Sequence, residues 1–338
     1  MTKKPTLTEV AKRAGVSLAT ASQVLRGVGR ISEETRQVVR RAANDLNYIR
    51  DARAASMRSG ENHEIGMVIH QISNPFNAEV ISGVSDCLEA AGYFVSILDS
   101  QNDPQRERRH LSALIAGARS GLLWVPAEDD PSETIGLLKQ HGIATVTFMR
   151  SIKDSPFDHV GIEDWQGTFD GTTHLHSKGH RRIAYFGGTQ MTRVRRERID
   201  GYLEAVKTHG LGPPIVWDCD DSKIAGLNEA TTLIREHPDV TALVCNGDMV
   251  ALGASLALAR LGLEAGRDIS VIGFDDIADA EVATPPLSTM AISPVQLGRR
   301  LAQTLLDRIQ HPQQPQVIIN TRAELVVRGT TGRPSSTS

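Results

Sequence analysis

The sequence predicts an α/β protein with an amino-terminal three-helix head that contains a helix-turn-helix and a larger body of parallel β-sheets. Two closely spaced helix-capping signals near the amino terminus indicate the head, and short apolar runs alternating with amphipathic segments indicate the body. Charge divides in the same way, because residues 1–60 carry 12 Lys and Arg against 5 Asp and Glu, and the remainder carries 25 against 35. With 338 residues, 40% of them hydrophobic, the chain can bury a large core in two or three domains.

The head begins with two short helices on either side of Gly15. Thr6 and Glu9 have the spacing of a capping box, and Ser17 can cap the second helix. The apolar positions of the first helix are Leu7, Val10, Ala11 and Ala14, and those of the second are Ala21, Val24 and Leu25. Two helices joined through a glycine turn form a helix-turn-helix, whose second helix can enter a DNA major groove.

A third helix, capped by Ser32, completes the predicted head at residues 1–49. Its apolar face consists of Val39, Ala42, Ala43 and Leu46. Residues 50–62 are rich in alanine and arginine and lack core-forming residues, so we expect a weak helix running into a linker. A basic head on an acidic body points to a polyanionic partner, although a charge excess alone is typical of a solvated surface.

The body is predicted over residues 63–331, and the polar tail at 332–338 is expected to be disordered. Its predicted strands are "EIGMVIH", "FVSILDS", "SGLLWVP", "ATVTFMR", "RIAYFGG", "TALVCNGD" and "ISVIGFDD". In open α/β sheets, ligands bind at the carboxyl ends of the strands. Asn74 with Phe76, Arg150 and Asp275 therefore become candidate ligand residues, because each follows a predicted strand.

Several other functions have no support in the sequence. Cys87, Cys219 and Cys245 are odd in number and far apart, which favours neither a disulfide framework nor a zinc site. The sequence has no apolar run typical of a signal peptide or a membrane span, so a cytoplasmic location is expected.

A metal site and an enzyme active site are not indicated either. His174 and His176 point to different faces of a predicted helix, and His180 lies in the next turn, so we expect no metal there. The sequence contains no phosphate-binding glycine motif and no marked catalytic triad, and we expect neither a cofactor nor enzymatic activity.

Six segments, in order, resemble the LacI/GalR family of bacterial transcription regulators. The head "TLTEVAKRAGVSLATASQVL" is similar to the family's helix-turn-helix pattern, and the body has "NPFNAEVISGV", "KGHRRIAYFGG", "RIDGYLEAV", "GDMVALGA" and "ISVIGFDDIADAEVATPPLSTM". The resemblance implies two lobes like those of periplasmic sugar-binding proteins, joined by three crossings, with a small effector between them. Lobe one would comprise 63–163 and 293–320, and lobe two 164–292 and 321–331. Within the family, "VLRGVGRIS", Arg50 and "RRERIDGYLEAVKTHGL" resemble the branch that regulates maltose systems.

The resemblance also places residues that contact DNA. Leu18, Ala19 and Gln23 would read bases, with glutamine favouring adenine where many relatives have an arginine for guanine. The alternative for Leu18 and Ala19 is helix packing. Contacts to phosphates are expected from Thr6, Ser17, Thr20, Ser22 and Tyr48, each of which could also serve only as a cap. In the hinge, the expected contacts come from Arg53, Ala54 and Met57, with Met57 in place of the family's minor-groove leucine.

Effector residues follow from the same resemblance. Arg150, Arg198 and Asp275 stand at family effector positions, with Asn74 and Phe76 beside them; Arg198 and Asp275 could instead form a structural ion pair. Many members have Asn-Asp where this chain has Gly247 and Asp248, so Asp248 matches the family's aspartate and Gly247 replaces its asparagine. Asp221 stands at a position where some sugar-binding members have an aromatic residue. Stacking on a sugar ring would fall to Phe76, Trp124 or Trp165, and core packing is the alternative for both tryptophans.

These observations predict a sequence-specific DNA-binding regulator that represses a carbohydrate-utilisation operon until a sugar or sugar phosphate binds. A regulator that needs a corepressor or no effector is an alternative, and a solute-binding protein of a transport system is an alternative of another class. A homodimer on palindromic operator DNA is expected, formed through helices that begin near Asn77 and Asp248. A dimer and not a tetramer is expected, because "GTTGRPSSTS" does not resemble the heptad-repeat tail that makes some relatives tetramers.

Overall fold

A computed structural model describes residues 4–49, 62–127, 131–189 and 192–335. The chain divides into two compact units, one ending at Asn62 and the other beginning at His63. Within the described ranges, no helix is both long and apolar enough to cross a bilayer.

Over residues 4–49 the first unit contains three helices, α1 (Leu7–Ala14), α2 (Leu18–Arg26) and α3 (Glu33–Asp45). Local signals place their ends: Thr6 and Glu9 form the predicted capping box, and Ser17 and Ser32 cap α2 and α3. Gly15 has φ 66°, in the left-handed region where glycine carries no steric cost, and ends α1. The small core comprises Val10, Ala11, Ala21, Val24, Val39, Ala42 and Ala43.

The first sheet of the second unit has the strand order β11-β5-β4-β3-β1-β2, with every neighbouring pair parallel. Its strands are β1 (Glu64–Ile69), β2 (Phe94–Asp99), β3 (Gly121–Trp124), β4 (Ala144–Phe148), β5 (Asp158–Ile162) and β11 (Ile318–Thr321). The accompanying helices are α4 (Pro75–Ala90), α5 (Pro104–Ala116), α6 (Ser132–His141) and α12 (Pro294–Gln310). This sheet and its helices are called lobe one.

The second sheet has the order β12-β10-β9-β8-β6-β7 and is parallel except for the edge pair β10–β12. Its strands are β6 (Ile183–Phe186), β7 (Ile215–Trp217), β8 (Ala242–Cys245), β9 (Ser270–Asp275), β10 (Ser288–Ala291) and β12 (Glu324–Val326). The accompanying helices are α7 (Asp164–Ser177), α8 (Arg193–Thr208), α9 (Lys223–Glu236), α10 (Asp248–Arg260) and α11 (Ala278–Val282). These elements form lobe two.

The chain passes between the two lobes after β5, after β10 and after β11. Thr321 still pairs with Ile162 in the first sheet, one residue beyond the end predicted for lobe one. Helix α12 returns to lobe one and packs on α4 at very close range, since a Cβ on Gly83 would lie 2.1 Å from the carbonyl oxygen of Val295.

The carboxyl-terminal residues differ from expectation in part. Gly332 donates its N–H to Ser270 Oγ at 3.0 Å, and Ser335 donates its hydroxyl to the carbonyl oxygen of Arg267 at 2.9 Å. The prediction of disorder was therefore wrong for residues 332–335, because the polar side chains and backbone there find partners on lobe two. The last three residues of the predicted tail lie outside the described ranges.

Candidate functional site

A cavity of about 530 Å³ lies between the two lobes, at the carboxyl ends of the strands. Five of the predicted effector residues line it: Asn74, Phe76, Arg150, Arg198 and Asp275. The doubly wound topology brings them together, because the parallel strands of each sheet end at the same edge.

The lobe-one wall of this cleft is built on the residues that follow β1 and β4. Asn74 caps α4 by accepting the backbone N–H of Phe76 at 3.0 Å, which fixes the start of the helix that carries Phe76. Phe76 lines the cleft but is only 1% exposed, so it offers little surface to a ligand. Arg150 follows Met149, whose φ is 61°, and donates from Nη1 to the carbonyl oxygen of Pro126 at 2.9 Å.

Arg198 is the centre of the lobe-two wall. Its Nε donates to Asp164 Oδ1 at 2.6 Å, and Nη1 donates to the carbonyl oxygen of Asn246. The guanidinium carbon lies 3.7 Å from the centroid of the Phe274 ring, a cation–π contact. Nη2 is 3.8 Å from Asp275 Oδ1. The ion pair between Arg198 and Asp275 that the sequence suggested therefore exists. The contact of Arg198 with Asp164 is shorter, however, and is the one that includes a hydrogen bond.

Asp275 ends β9 with φ 117°, a conformation that non-glycine residues rarely adopt. Its carboxylate makes no hydrogen bond within the described ranges and faces the cleft. Burial raises the pKa of Asp275 well above its ordinary value, Arg198 opposes this rise, and the carboxylates of Asp248, Asp221 and Asp164 add to it. Because these oxygens have no hydrogen-bond partner in the described ranges, they are available to accept a hydrogen bond from a ligand.

Asp164 is a site residue that the sequence reasoning missed. It is 2% exposed, and burial raises its pKa to about 6 against the opposing effect of Arg198. It follows β5, "DHVGI", a strand too polar to stand out as a buried apolar run. The position after a strand would have been the signal, had that strand been recognised.

A polar network continues from Arg198 into lobe two. Asn246 donates from Nδ2 to Asp221 Oδ1 and Oδ2 at 2.9 and 3.0 Å, and its Oδ1 accepts the Tyr185 hydroxyl at 2.7 Å. Burial raises the pKa of Asp221. Gly247 offers no side chain here, and a Cβ at that position would lie 3.3 Å from Asp275 Oδ2. Arg195, also on the cleft wall, pairs with Asp218 at 2.5 Å.

Three predicted effector residues do not line the cleft. Trp124 is fully buried in a lobe-one cluster and packs edge-on against Phe157, because β3 is a central strand covered on both faces. Trp165 is 38% exposed and stacks on Phe169 along α7, away from the cavity. Asp248 points into lobe two. For Trp124 the core-packing alternative is the one that the structure shows, whereas Trp165 stacks on Phe169 at the surface.

Both carboxylate oxygens of Asp248 are used inside lobe two. Oδ1 accepts the Thr289 hydroxyl at 2.6 Å, and Oδ2 accepts the N–H of Ile277 at 3.0 Å. Burial raises the pKa of Asp248 to about 7 despite these hydrogen bonds. Asp248 therefore connects α10 to the segments after β9 and in β10, behind Asp275.

The predicted base-reading residues lie on α2 of the first unit. Leu18 is 52% exposed and Ala19 is also exposed, whereas Ala21 and Val24 fill the core face. Gln23 is partly buried, and a Cβ on Gly29 would lie 3.0 Å from its Oε1. The amide of Gln23 thus contacts the turn that follows α2.

The predicted phosphate-contacting residues have local partners. Ser17 accepts the N–H of Thr20 at 3.1 Å, and the two hydroxyls are 2.8 Å apart. The Thr6 hydroxyl and N–H both donate to Glu9. Ser22 lies on α2 and Tyr48 packs partly buried against the small core. The hinge residues Arg53, Ala54 and Met57 lie outside the described ranges.

The chain matches two family models and whole proteins of the same kind. Residues 6–51 match the bacterial regulatory proteins of the lacI family, and residues 172–331 match the periplasmic binding protein-like domain. The chain is 31% identical to the HTH-type transcriptional repressor PurR of Glaesserella parasuis, covering 96% of this chain and 97% of that one. It is 29% identical to the maltose regulon regulatory protein MalI of Escherichia coli, covering 91% and 94%. The interpretation of a maltose-system branch stays a prediction.

A solved structure agrees in fold over nearly the entire length. The lac repressor dimer bound to operator and the anti-inducer ONPF superposes with a TM-score of 0.84 at 26% identity, covering 98% of this chain and 100% of that chain. Both the helical first unit and the two-lobed second unit thus have counterparts in one known architecture.

Proposed function

This chain belongs to the lacI family of bacterial regulatory proteins and is a DNA-binding transcriptional regulator, and from that premise we propose that it is a cytoplasmic repressor of a carbohydrate-utilisation operon, released when a neutral sugar enters the cleft. It acts as a homodimer on palindromic operator DNA and needs no cofactor. The observation that carries the effector proposal is the arrangement of Arg198, Asp275 and Asn246 on the lobe-two wall.

That arrangement suits a polyol. A sugar hydroxyl both donates and accepts hydrogen bonds, so its binding site needs donors and acceptors side by side. The Arg198 guanidinium supplies donors, while the Asp275 carboxylate next to it, 3.8 Å away, supplies acceptors without other hydrogen-bond partners in the described ranges. Phe76, Met149 and Met249 add apolar surface for the sugar ring.

The charge of the cleft favours a neutral sugar over a sugar phosphate. Arg195 and Arg198 already pair with Asp218 and Asp164 at 2.5 and 2.6 Å. Asp220, Asp221 and Asp275 also line the cavity. A phosphate group on this wall would be buried beside three acidic side chains, and the raised pKa values of Asp221 and Asp275 show that this site already disfavours negative charge.

The DNA-binding part of the proposal rests on α2 and on symmetry. Leu18 and Ala19 offer apolar contact to thymine methyl groups, and Gln23 reads adenine, so the operator half-site deviates from that of relatives with arginine there. One helix-turn-helix covers one half-site, and a palindrome therefore requires a two-fold dimer. The surface proposed to pair with the second copy lies on α4, which contains Asn77, and on α10, which begins at Asp248 and exposes Leu256 at 51%.

Isothermal titration calorimetry of mono- and disaccharides against wild type, Arg198→Ala and Asp275→Ala tests the cleft assignment. Each substitution should weaken sugar binding by more than about 2 kcal/mol, since a buried hydrogen bond to a charged group is lost and its partner is left unpaired. Lys207→Ala, which removes a largely exposed cation later in α8, is the matched control. Equal sugar affinity in all four proteins would overturn the assignment.

A further inference from the structure

The turn that follows α2, residues 27–31, contacts both the backbone and the side chain of Gln23. The carbonyl oxygen of Gln23 accepts the N–H of Val28 at 3.1 Å, which ties the turn to the helix. A Cβ on Gly29 would lie 3.0 Å from Oε1 of Gln23 and 3.3 Å from its Cδ, so the backbone of Gly29 lies directly against the amide group. Because the Gln23 side chain makes no hydrogen bond within the described ranges, the contact with Gly29 is what restrains its amide.

Glycine at position 29 meets two separate requirements of this turn. Its φ is 87°, in the left-handed region that residues with a side chain rarely adopt, and a side chain there would also press on the Gln23 amide. Gly27, which ends α2, has a similar φ of 73°, but a Cβ on Gly27 would meet nothing within 4 Å. The two glycines therefore share the backbone requirement, and of the two only Gly29 combines it with a contact to the Gln23 side chain.

Arg36, on α3, holds this turn in place. Its Nη2 donates to the carbonyl oxygen of Gly29 at 2.8 Å, and its Nε donates to the carbonyl oxygen of Ile31 at 3.3 Å. The side chain is half-buried, and its planar guanidinium fixes the two carbonyl groups in one relative geometry. Arg36 therefore connects α3 to Gly29, the residue that lies against the amide of Gln23.

We propose that Arg36 is a positioning residue for base selection, because it holds Gly29 against Gln23 and so keeps the Gln23 amide in one orientation before DNA binds. Glutamine loses rotamer freedom when its amide engages adenine through two hydrogen bonds. A restraint that is already present in the free protein reduces this entropic cost, and it does so only for the base that the amide engages. Arg36 and Gly29 therefore raise the preference for adenine and not the general affinity for DNA. This inference rests on the proposed function, since it names residues that act through the base-reading Gln23.

The test measures base preference at the operator position that Gln23 reads. The full-length protein is first bound to a randomised library of operator fragments, based on the promoter region of the gene that encodes it, and the position whose preference changes in Gln23→Ala is identified. Four duplexes that differ only at this base pair are then titrated by fluorescence anisotropy with wild type, Arg36→Met, Arg36→Lys and Gly29→Ala. The matched controls are Arg40→Met, which removes the same charge from an exposed site on α3, and Gly27→Ala, whose Cβ meets no atom within 4 Å.

We expect Arg36→Met and Gly29→Ala to lower the ratio of the affinities for adenine and the next-best base by about three- to tenfold. Arg36→Lys should lower it less, since an ammonium group keeps a donor but not the fixed fork. Arg40→Met and Gly27→Ala should keep the wild-type ratio, even though Gly27→Ala and Gly29→Ala should both lose stability in denaturant unfolding of the full chain. In a Gln23→Ala background, Arg36→Met should leave the base preference unchanged, because a positioning residue acts only through the group that it positions.

The inference is overturned if Arg36→Met weakens binding to all four duplexes by the same factor, which is the result for a phosphate contact or a purely structural role. It is also overturned if Gly27→Ala and Gly29→Ala change the ratio equally, or if Arg36→Met alters base preference in the Gln23→Ala background. Arg36→Lys and the two glycine variants decide the outcome where Arg36→Met does not fold. A library profile that is unchanged in Gln23→Ala overturns the base-reading part of the proposed function together with this inference. A profile that depends on Gln23 but not on Arg36 or Gly29 overturns this inference alone.

Discussion

Leu18 and Ala19 stand exposed on a helix that is positioned by caps only a few residues away, whereas Arg198 and Asp275 are buried among charged groups supplied by distant segments of the chain. The helix-turn-helix thus presents its functional side chains from a locally determined scaffold. The cleft holds its functional side chains through long-range ion pairs, such as Arg198 with Asp164, 34 positions apart. We therefore expect substitutions on the exposed face of the head to change DNA recognition with little effect on stability. Substitutions in the cleft should change both effector binding and stability.

The largest effect is expected at Asp164. Asp164→Ala leaves the buried Arg198 guanidinium without its hydrogen-bonded counter-charge, and breaking one partner of such a pair costs about 3 to 5 kcal/mol. Denaturant unfolding of the full chain should show this loss. Asp170→Ala, on the same helix, is the control, because Asp170 pairs with the exposed Arg322 and should contribute no more than about 1 kcal/mol. A similar loss in both variants would show that the cleft is not held together by its buried ion pair.

A smaller effect, on selectivity and not on stability, is expected at Gln23. Gln23→Arg should shift base preference at one operator position from adenine towards guanine by about 1 to 3 kcal/mol. The free energy of unfolding should change by no more than roughly 1 kcal/mol, since Gln23 is only partly buried and is not part of the small core. Binding to an operator library, measured at several salt concentrations, checks both the preference and the nearly unchanged salt dependence. Unaltered preference at every position would place base reading elsewhere.

The smallest effect concerns pH and Asp248. Its folded-state pKa of about 7 lies above the ordinary value, so the stability contribution of this carboxyl group is fully present at low pH and is lost as pH rises through 7. Between pH 6 and 8 this group alone should lower the free energy of unfolding by roughly 1 kcal/mol.

Asp248→Asn should flatten the pH dependence by that amount. Asparagine can keep both contacts, accepting the N–H of Ile277 and donating to the Thr289 hydroxyl. Chemical denaturation of the two proteins at pH 6 and pH 8 provides the comparison. Parallel pH profiles would mean that Asp248 titrates at an ordinary pKa.

The same contrast explains how much the sequence could predict. Head helices and their caps were predicted from signals within a few residues, as Thr6 with Glu9 and Ser17 show. Five cleft residues were found because they follow apolar strands or lie at the positions of a known family. Asp164 was missed because β5 is short and polar, and the pairing of Asn246 with Asp221 was missed because no local pattern encodes a contact across 25 positions. Trp124 was misplaced because a tryptophan after an apolar run fits a core strand as well as a cleft.

The central claim is that a sugar in the cleft controls the affinity of the head for DNA. A ligand can do this only if it binds the DNA-competent and DNA-incompetent arrangements with different affinity. The direct measurement is fluorescence anisotropy of an operator fragment taken from the promoter region of the gene that encodes this protein. The fragment is titrated with wild type and with Asp275→Ala. Each titration is made with and without the sugar that calorimetry identifies. Saturating sugar should weaken operator binding of wild type by about 5- to 150-fold and leave Asp275→Ala, at the same sugar concentration, unchanged. Operator affinity of wild type that stays constant or rises while the sugar fills the cleft would contradict the account.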